Sequence, residues 1–201
     1  VLIVLLVRDR KIWQTISVGV LSAVLTIVPL LIFKGGVVNN VEWMLQSLSN
    51  FNANAAGLSS LRYHCTIAGL VNTLYLFGSG FTGEGIHFGL WYVALSFLIM
   101  MAAVFVIIYY RWSEHDALLV LISLMILLPQ ISYDYRLIHL LLPLVLFLMI
   151  RDRLPGDAIL AVLYGVLLIP KDYWVMEHAV SVSVVLNPLI LIAMVVIVVM
   201  R

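Results

Sequence analysis

The chain carries very little charge for its length. Only 10% of its 201 residues are Asp, Glu, Lys or Arg, against about a quarter in a soluble domain. The eleven basic residues outnumber the ten acidic residues by one and form no patch, so no nucleic-acid partner is expected. Because 64% of the residues are hydrophobic and the mean hydropathy is +1.16, the sequence predicts an integral, multi-pass membrane protein.

The chain has a single cysteine and lacks several familiar catalytic motifs. Cys65 is the single cysteine, so the chain has no internal disulfide, and we predict a small buried or interfacial residue there. The sequence has no glycine-rich phosphate loop, no H-E-x-x-H and no G-x-S-x-G. A nucleotide site of the soluble type is therefore not expected. No metal site or cofactor is predicted, and a divalent cation is left open.

Long apolar runs make up most of the sequence. They are too long and too free of period-2 alternation for membrane β-strands, which leaves helices to satisfy the backbone polar groups. The predicted fold is an all-α transmembrane bundle forming a single domain over residues 1–201. It has about five full spans and an N-terminal partial span. Because the chain starts inside an apolar run, we interpret it as the C-terminal part of a longer protein.

The segment 35–85 is the longest stretch without a predicted span. It is rich in Asn, Ser and Gly, and is predicted to be an exoplasmic loop with amphipathic or re-entrant helices. Residues 41–48 place apolar side chains at helical spacing, which favours a helix lying in the interface. The apolar run 66–77 is too short to cross a bilayer.

The distribution of basic residues predicts an orientation. Seven basic residues fall on the side assigned to the cytoplasm and four on the other side, in agreement with the positive-inside rule. The inner set is Arg8, Arg10, Lys11, Arg111, Arg151, Arg153 and Arg201. This topology places the 35–85 loop, the 132–136 turn and the 171–174 turn on the exoplasmic side, where they could line one cavity. We expect a bacterial plasma-membrane location.

A short apolar hairpin carries the main functional signal. Its arms, 117–131 and 137–150, flank Ser-Tyr-Asp-Tyr-Arg at 132–136. Each arm has about 15 residues, whereas a full crossing needs about 20. The turn is therefore predicted to lie below the membrane surface, where ionisable groups are functional candidates. Ser113 is placed to cap the first arm.

Three residues of this hairpin are the first candidates for a site. Arg136 can bind a phosphate or carboxylate with two parallel hydrogen bonds; the alternatives are a membrane anchor or an ion pair with Asp134. His139 lies on the same face as Arg136 by i,i+3 spacing, or is a hydrogen-bonded bundle histidine. Asp134 could act as a base, bind a cation or orient Arg136, and the orienting role is favoured.

The remaining candidates come from the turn and the two outer loops. Tyr133 and Tyr135 can stack on a sugar or anchor the turn at the interface. Arg62 and His64 form a polar cluster in the long loop, and are either substrate contacts or solvated loop residues. Lys171 is a second candidate for a phosphate or sugar contact, or part of an interfacial girdle.

The order of these features resembles a known family. A basic turn, a helix ending in PLLIFKGG and a hairpin reading L-P-x-x-S-Y-D-Y-R-L-I-H-L-L-L-P-L are similar to the C-terminal half of polyprenyl-phosphate-dependent glycosyltransferases of the GT-C superfamily, family 87. The resemblance covers residues 8–150. Residues 132–136 and Pro143 occupy positions of the family pattern, although Tyr135 and Arg136 stand where some members have paired histidines.

The resemblance implies an inverting glycosyltransferase. A mannose- or arabinose-like sugar would pass from a polyprenyl-phosphate donor to an exoplasmic glycan or glycolipid acceptor, with Arg136 on the donor phosphate. In the family a catalytic acidic residue lies in the first exoplasmic loop, which this chain does not contain, so the catalytic residues are unknown and Asp134 is the candidate within the chain. The alternative is a transporter or flippase for a lipid-linked or anionic substrate, and a scaffold without chemistry is a third reading.

Overall fold

The computed structural model describes residues 1–55, 64–79, 86, 88–149, 154–171, 173–175 and 180–201. The predicted helical fold is confirmed in these ranges, since most of the described residues are helical. The helices are α1 (Leu2–Arg8), α2 (Ile12–Ile32), α3 (Gly36–Ala55), α4 (Ile67–Gly78), α5 (Leu90–Tyr110), α6 (Glu114–Leu127), a 3-10 helix (Asp134–Leu140), α7 (Leu141–Met149), α8 (Asp157–Leu168) and α9 (Ser183–Met200).

Within the described ranges, three helices are long and apolar enough to cross a membrane. They are α2, α5 and α9, with 21, 21 and 18 residues. None of the α2 side chains is buried against the rest of the chain, as expected for a helix whose apolar surface faces lipid. The helix α8 has 12 residues, or about 18 Å of length, which is short of a roughly 30 Å hydrocarbon core. The prediction of about five full spans stays a prediction.

The described residues between 36 and 78 form two helices. The predicted amphipathic helix is found within the longer α3, and the predicted short apolar helix is α4. The Thr66 side chain caps α4 by accepting a hydrogen bond from the Gly69 N–H at 2.8 Å. Because α4 packs against α9 and buries residues such as Leu70 and Leu76, it belongs to the body of the protein.

The helix α6 forms the centre of the core. Eleven of its fourteen residues are buried, and it packs against α5, α7, α9 and the 3-10 helix. A helix that is apolar on all sides is stable only when it is surrounded, which is the position that α6 occupies. The Ser113 side chain caps it by accepting from the Asp116 N–H at 3.1 Å, which confirms the predicted cap.

The predicted hairpin is present, with α6 as its first arm. The second arm begins as the 3-10 helix and continues as α7, and both pack against α6. A small difference from the all-helical prediction lies further along, where an antiparallel pair of two-residue strands, β1 (Trp174–Val175) and β2 (Val180–Ser181), leads into α9.

A buried ionic network closes the end of the core opposite the hairpin turn. The Arg201 guanidinium pairs with the carboxylates of Asp116 and Asp157 and lies 3.4 Å from His115 Nδ1. The Tyr164 hydroxyl lies 3.4 Å from His115 Nε2. This network joins α6, α8 and α9, and the sequence analysis did not anticipate it.

The start of α8 generates a stability prediction. Gly156 has φ +90°, and a Cβ at this position would lie 2.9 Å from Ile197 Cγ2. We expect Gly156→Ala to lower the free energy of unfolding by about 1–3 kcal/mol, because it adds both backbone strain and overlap. Gly165→Ala in the same helix is the matched control, since nothing lies within 4 Å of its added Cβ; it should be neutral or stabilising by up to about 1 kcal/mol. Denaturation in detergent measures both, and equal effects would contradict the prediction.

Candidate functional site at the 132–136 turn

The end of the long loop is joined to the hairpin turn. The Cys65 N–H donates to the Ser132 carbonyl at 2.9 Å, and His64 pairs with Tyr133 in an isolated antiparallel bridge. The Thr66 hydroxyl also donates to the Gln130 carbonyl at 3.4 Å. The structure therefore brings two of the sequence-predicted regions, the end of the loop and the turn, to one level of the molecule.

The 3-10 helix sorts the residues after the turn onto three sides. It has three residues per turn, so side chains at i and i+3 lie directly above one another. Residues 134, 137 and 140 form one side, which faces a cavity and the core. Residues 135 and 138 are exposed on a second side. Residues 136 and 139 share the third side, as the i,i+3 spacing predicts.

Asp134 is held by α9, not by Arg136. Its Oδ1 accepts a hydrogen bond from Asn187 Nδ2 at 3.1 Å, and the described residues include no ion pair between Asp134 and Arg136. The structure therefore does not have the direct contact by which Asp134 was predicted to orient Arg136. The physical reason is the 3-10 geometry, because residues two apart point to different sides of such a helix.

Asp134 lines a cavity of about 330 Å³ between the 3-10 helix, α8 and α9. Its polar lining groups are Asp134, Lys171, Ser183 and Asn187, and the rest of the lining is apolar, chiefly Leu137, Leu141, Leu167 and Leu168. Asn187 is 3% exposed, and its Oδ1 has no hydrogen-bond partner within the described part of the chain. The cavity therefore offers a few convergent polar groups above an apolar floor, which is typical of a ligand site.

Lys171 contributes a cation to this cavity. It is buried, and its ammonium donates to the carbonyls of Leu167 at 3.1 Å and Ile169 at 2.9 Å, at the end of α8. A cation placed there also interacts favourably with the negative end of the helix dipole. The position of Lys171 is therefore set by the end of α8. Lys171 and Asp134 line the same cavity, which agrees with the prediction that the 132–136 and 171–174 turns could line one cavity.

Arg136 is half-buried on the neighbouring side. Its backbone N–H donates to the Tyr133 carbonyl at 3.0 Å, while its guanidinium forms no hydrogen bond or ion pair with the residues described in the structure. Burial raises the pKa of the nearby Cys65 thiol to about 12, with the Asp134 carboxylate adding to the rise and Arg136 opposing it. A half-buried guanidinium without a partner can accept an anion from outside.

His139, one 3-10 turn beyond Arg136, opens onto a larger and more apolar groove. This groove has a volume of about 740 Å³ and lies between α1, α6 and α7. Apart from His139 its lining is apolar, with Leu5, Leu118, Ile122, Met125 and Leu142 among the residues. Leu118, Ile122 and Met125 lie along two turns of α6, so the groove extends about 10 Å along that helix.

His64 is buried beneath the turn. It is 3% exposed, and neither ring nitrogen has a hydrogen-bond partner among the described residues. Its ring meets Tyr133 edge-on at a centroid distance of 5.2 Å. A Cβ on Gly69 would lie 2.7 Å from His64 Cβ, so the close approach of α4 requires glycine there. Burial lowers the pKa of His64 to about 4, which keeps the imidazole neutral at pH 7.

The other predicted residues fall in different surroundings. Tyr133 and Tyr135 stack at a centroid distance of 6.1 Å, and Tyr135 is 68% exposed. Arg62 lies outside the described residues. Sequence reasoning missed Asn187, although an Asn-Pro pair inside an otherwise apolar span is a polar signal of the kind that marks function in membranes.

The described residues include no group of three or more His, Cys, Asp or Glu side chains arranged to hold a metal ion. Asp134 is the acidic residue of the turn, and it accepts a hydrogen bond from the side-chain amide nitrogen of Asn187. The chemistry that the described site can perform is therefore anion binding and hydrogen bonding by Arg136, Lys171 and Asn187.

The burial of His64 predicts a dependence of stability on pH. The unfolded chain takes up a proton as the pH falls through 6.5, whereas the folded protein does so only near 4, so stability is lost as the pH falls. Lowering the pH from 7 to 5 should reduce the free energy of unfolding by about 2 kcal/mol through this group. In His64→Phe this part of the pH dependence should vanish, as measured by denaturation in detergent. The exposed His139→Phe is the control; an unchanged slope in His64→Phe would contradict the assignment.

Comparisons with known proteins add no family. No family model matches the chain, and no curated protein and no solved structure matches it. The function is therefore inferred from the arrangement of the described side chains, above all Arg136 in the 3-10 helix after the turn and Lys171 and Asn187 in the neighbouring cavity.

Proposed function

We propose that the chain is part of an integral-membrane glycosyltransferase that moves a mannose- or arabinose-like sugar from a polyprenyl-phosphate donor to an exoplasmic glycan or glycolipid. The observation that carries the proposal is the half-buried guanidinium of Arg136, which forms no hydrogen bond or ion pair with any described residue. Arg136 lies in the 3-10 helix between Asp134, which lines the polar cavity, and His139, which lines the apolar groove. A donor of this class has an anionic head and a long apolar tail, which are the two features that this arrangement can bind.

Arg136 is the group proposed for the donor phosphate. A guanidinium forms paired, charge-assisted hydrogen bonds with phosphate oxygens, and these are stronger in partly desolvated surroundings. In an inverting transfer the acceptor oxygen bonds to the anomeric carbon as the bond from that carbon to the phosphate oxygen breaks, and the leaving phosphate takes the electron pair. The positive charge of Arg136 would stabilise the negative charge that develops on the phosphate.

The apolar groove beside His139 is proposed for the polyprenyl chain. It starts one 3-10 turn from Arg136 and continues along α6, so a lipid whose phosphate contacts Arg136 could lay its first isoprene units there. The surfaces of α1 and α7 that complete the groove are apolar. Burying the tail would supply binding energy of about 25 cal/mol for each Å² of apolar surface removed from water.

The sugar is proposed to lie toward the polar cavity. Lys171 and Asn187 there offer hydrogen bonds to hydroxyl groups, and the stacked rings of Tyr133 and Tyr135 offer a surface for a sugar ring. Asp134, held by Asn187, is a further acceptor for a hydroxyl. The base that removes the proton of the acceptor hydroxyl is proposed to belong to a part of the protein outside this chain.

A transporter or flippase remains the competing function. Transport needs a polar path at mid-depth, as in transporters whose sites lie near the bilayer midplane. Within the ranges described, the middle of the core is formed by residues such as Leu119, Leu121, Leu191 and Met194, with Ser123 as a buried polar exception. The polar groups gather instead at the two ends of α6 and α9, which supports the enzyme over the transporter.

Substitution of Arg136 tests the proposal. In the intact protein, Arg136→Ala should lower the rate of sugar transfer by roughly 10- to 100-fold, because hydrogen bonds to a charged group contribute about 1.5–3 kcal/mol. The measurement is transfer of labelled sugar from polyprenyl phosphate in membranes, at matched expression. Lys34→Ala, at an exposed lysine after α2, is the control and should leave transfer unchanged.

Photolabelling separates binding from chemistry. A photoreactive polyprenyl phosphate should label the protein, and the unlabelled phosphate should compete whereas the neutral polyprenol should not. Arg136→Ala should lose most of the labelling. Unchanged transfer kinetics in Arg136→Ala would remove its assigned role, and movement of a lipid-linked substrate across sealed vesicles without sugar transfer would favour the transporter.

A further inference from the structure

A second polar cavity lies at the other end of α6, away from the candidate site. It has a volume of about 490 Å³ and lies where the turn between α1 and α2 meets the turn between α5 and α6. Arg8, Arg10 and Arg111 line it together with the carboxylates of Asp9 and Glu114. The fold therefore brings arginines about a hundred residues apart in sequence to one opening.

Two of these arginines have an unusual backbone conformation. Arg10 has φ +56° and Arg111 has φ +50°, and they are the non-glycine residues with positive φ in the part of the chain described. This left-handed region is unfavourable for residues other than glycine, asparagine and aspartate. Such strain tends to persist at functional sites. Here both strained residues line the same cavity and carry the same charge.

The charges of the cavity do not cancel. Arg8 is engaged, since its Nε donates to Asp9 at 2.8 Å and a terminal nitrogen donates to the Trp112 carbonyl at 2.6 Å. Its other terminal nitrogen lies 4.0 Å from Glu114. The guanidinium groups of Arg10 and Arg111 form no hydrogen bond or ion pair with any described residue. Three arginines against two carboxylates leave a net positive charge.

The carboxyl group of Asp9 is also surrounded by positive charges. The hydrogen bond from Arg8 lowers the pKa of its carboxyl, and the charges of Lys11 and Arg111 lower it further. Lys11 is exposed next to the cavity and adds another cation. An anion entering the opening would therefore meet the free charges of Arg10, Arg111 and Lys11 around a carboxylate that Arg8 already neutralises.

The surface beside the cavity is aromatic and apolar. Trp13 is 82% exposed, Tyr109 is 68% exposed and Tyr110 is 67% exposed. All three lie within a few residues of the cavity arginines, at the ends of the two 21-residue apolar helices. Exposed Trp and Tyr at the ends of spanning helices are typical of the membrane–water interface. The opening is therefore at the level of lipid headgroups, and lipid is the neighbouring source of anions.

We propose that this cavity binds the headgroup of an anionic membrane phospholipid. The lipid phosphate would pair with Arg10 and Arg111 at the rim, and the acyl chains would lie on the exposed apolar surfaces of α2 and α5. Basic pockets between membrane helices bind acidic lipid headgroups in this way. The site is separate from the one proposed for glycosyl transfer and does not depend on it.

Lipid retention tests the proposal. The protein would be reconstituted in nanodiscs of phosphatidylcholine containing one-fifth phosphatidylglycerol, and the retained lipids counted by native mass spectrometry. The wild-type protein should retain phosphatidylglycerol in preference to phosphatidylcholine. Arg111→Asn should reduce this preference about fivefold, and Arg10→Asn with Arg111→Asn about 25-fold, since each basic residue near an anionic surface contributes about 1 kcal/mol. Asparagine is chosen because it tolerates positive φ.

Lys34→Asn is the matched control. It removes one exposed positive charge outside the cavity and should leave the preference unchanged. An unaltered preference in the double variant, or an equal loss in Lys34→Asn, would overturn the proposal. Displacement of the lipid by millimolar inorganic phosphate would overturn the lipid assignment in favour of a soluble anion. Should the double variant fail to fold, the two single variants carry the same test.

Discussion

An unpaired charge in apolar surroundings is very unfavourable, and the placement of α9 depends on this constraint. Near its start, Asn187 donates to the Asp134 carboxylate, and at its end Arg201 pairs with Asp116 and Asp157. These contacts fix α9 along and around its axis against α6. The apolar packing between them, which is not directional, only has to fill the space.

The 3-10 helix places polar residues that are close in sequence in two chemically different environments. Three residues per turn place Asp134 on the cavity beside α8 and α9. They put Arg136 on the same side of the helix as His139, which lines the groove beside α6 and α7. Runs of this length are uncommon because the hydrogen-bond geometry is poorer than in an α-helix.

Patterns of residues close together in the sequence predicted the helices, whereas contacts between distant residues were not predicted. The cap at Ser113, the short helix α4 and the hairpin follow from residues close together in the sequence. The network at Arg201 joins residues 44 and 85 positions away, and Asn187 reaches Asp134 across 53 positions. A single sequence gives spacing within an element and does not give which polar residues of different elements will meet, so the Asp134 partner was mispredicted.

The distance along the chain between Arg201 and its partners has a consequence for biosynthesis. Ribosomes add about 5–20 residues each second, so Asp116 is made about 4–17 s before Arg201, which lies 85 positions later. During this interval the Asp116 carboxylate lacks the guanidinium that neutralises it in the folded protein. The first half of the hairpin therefore lacks the partner for this charge until α9 is made.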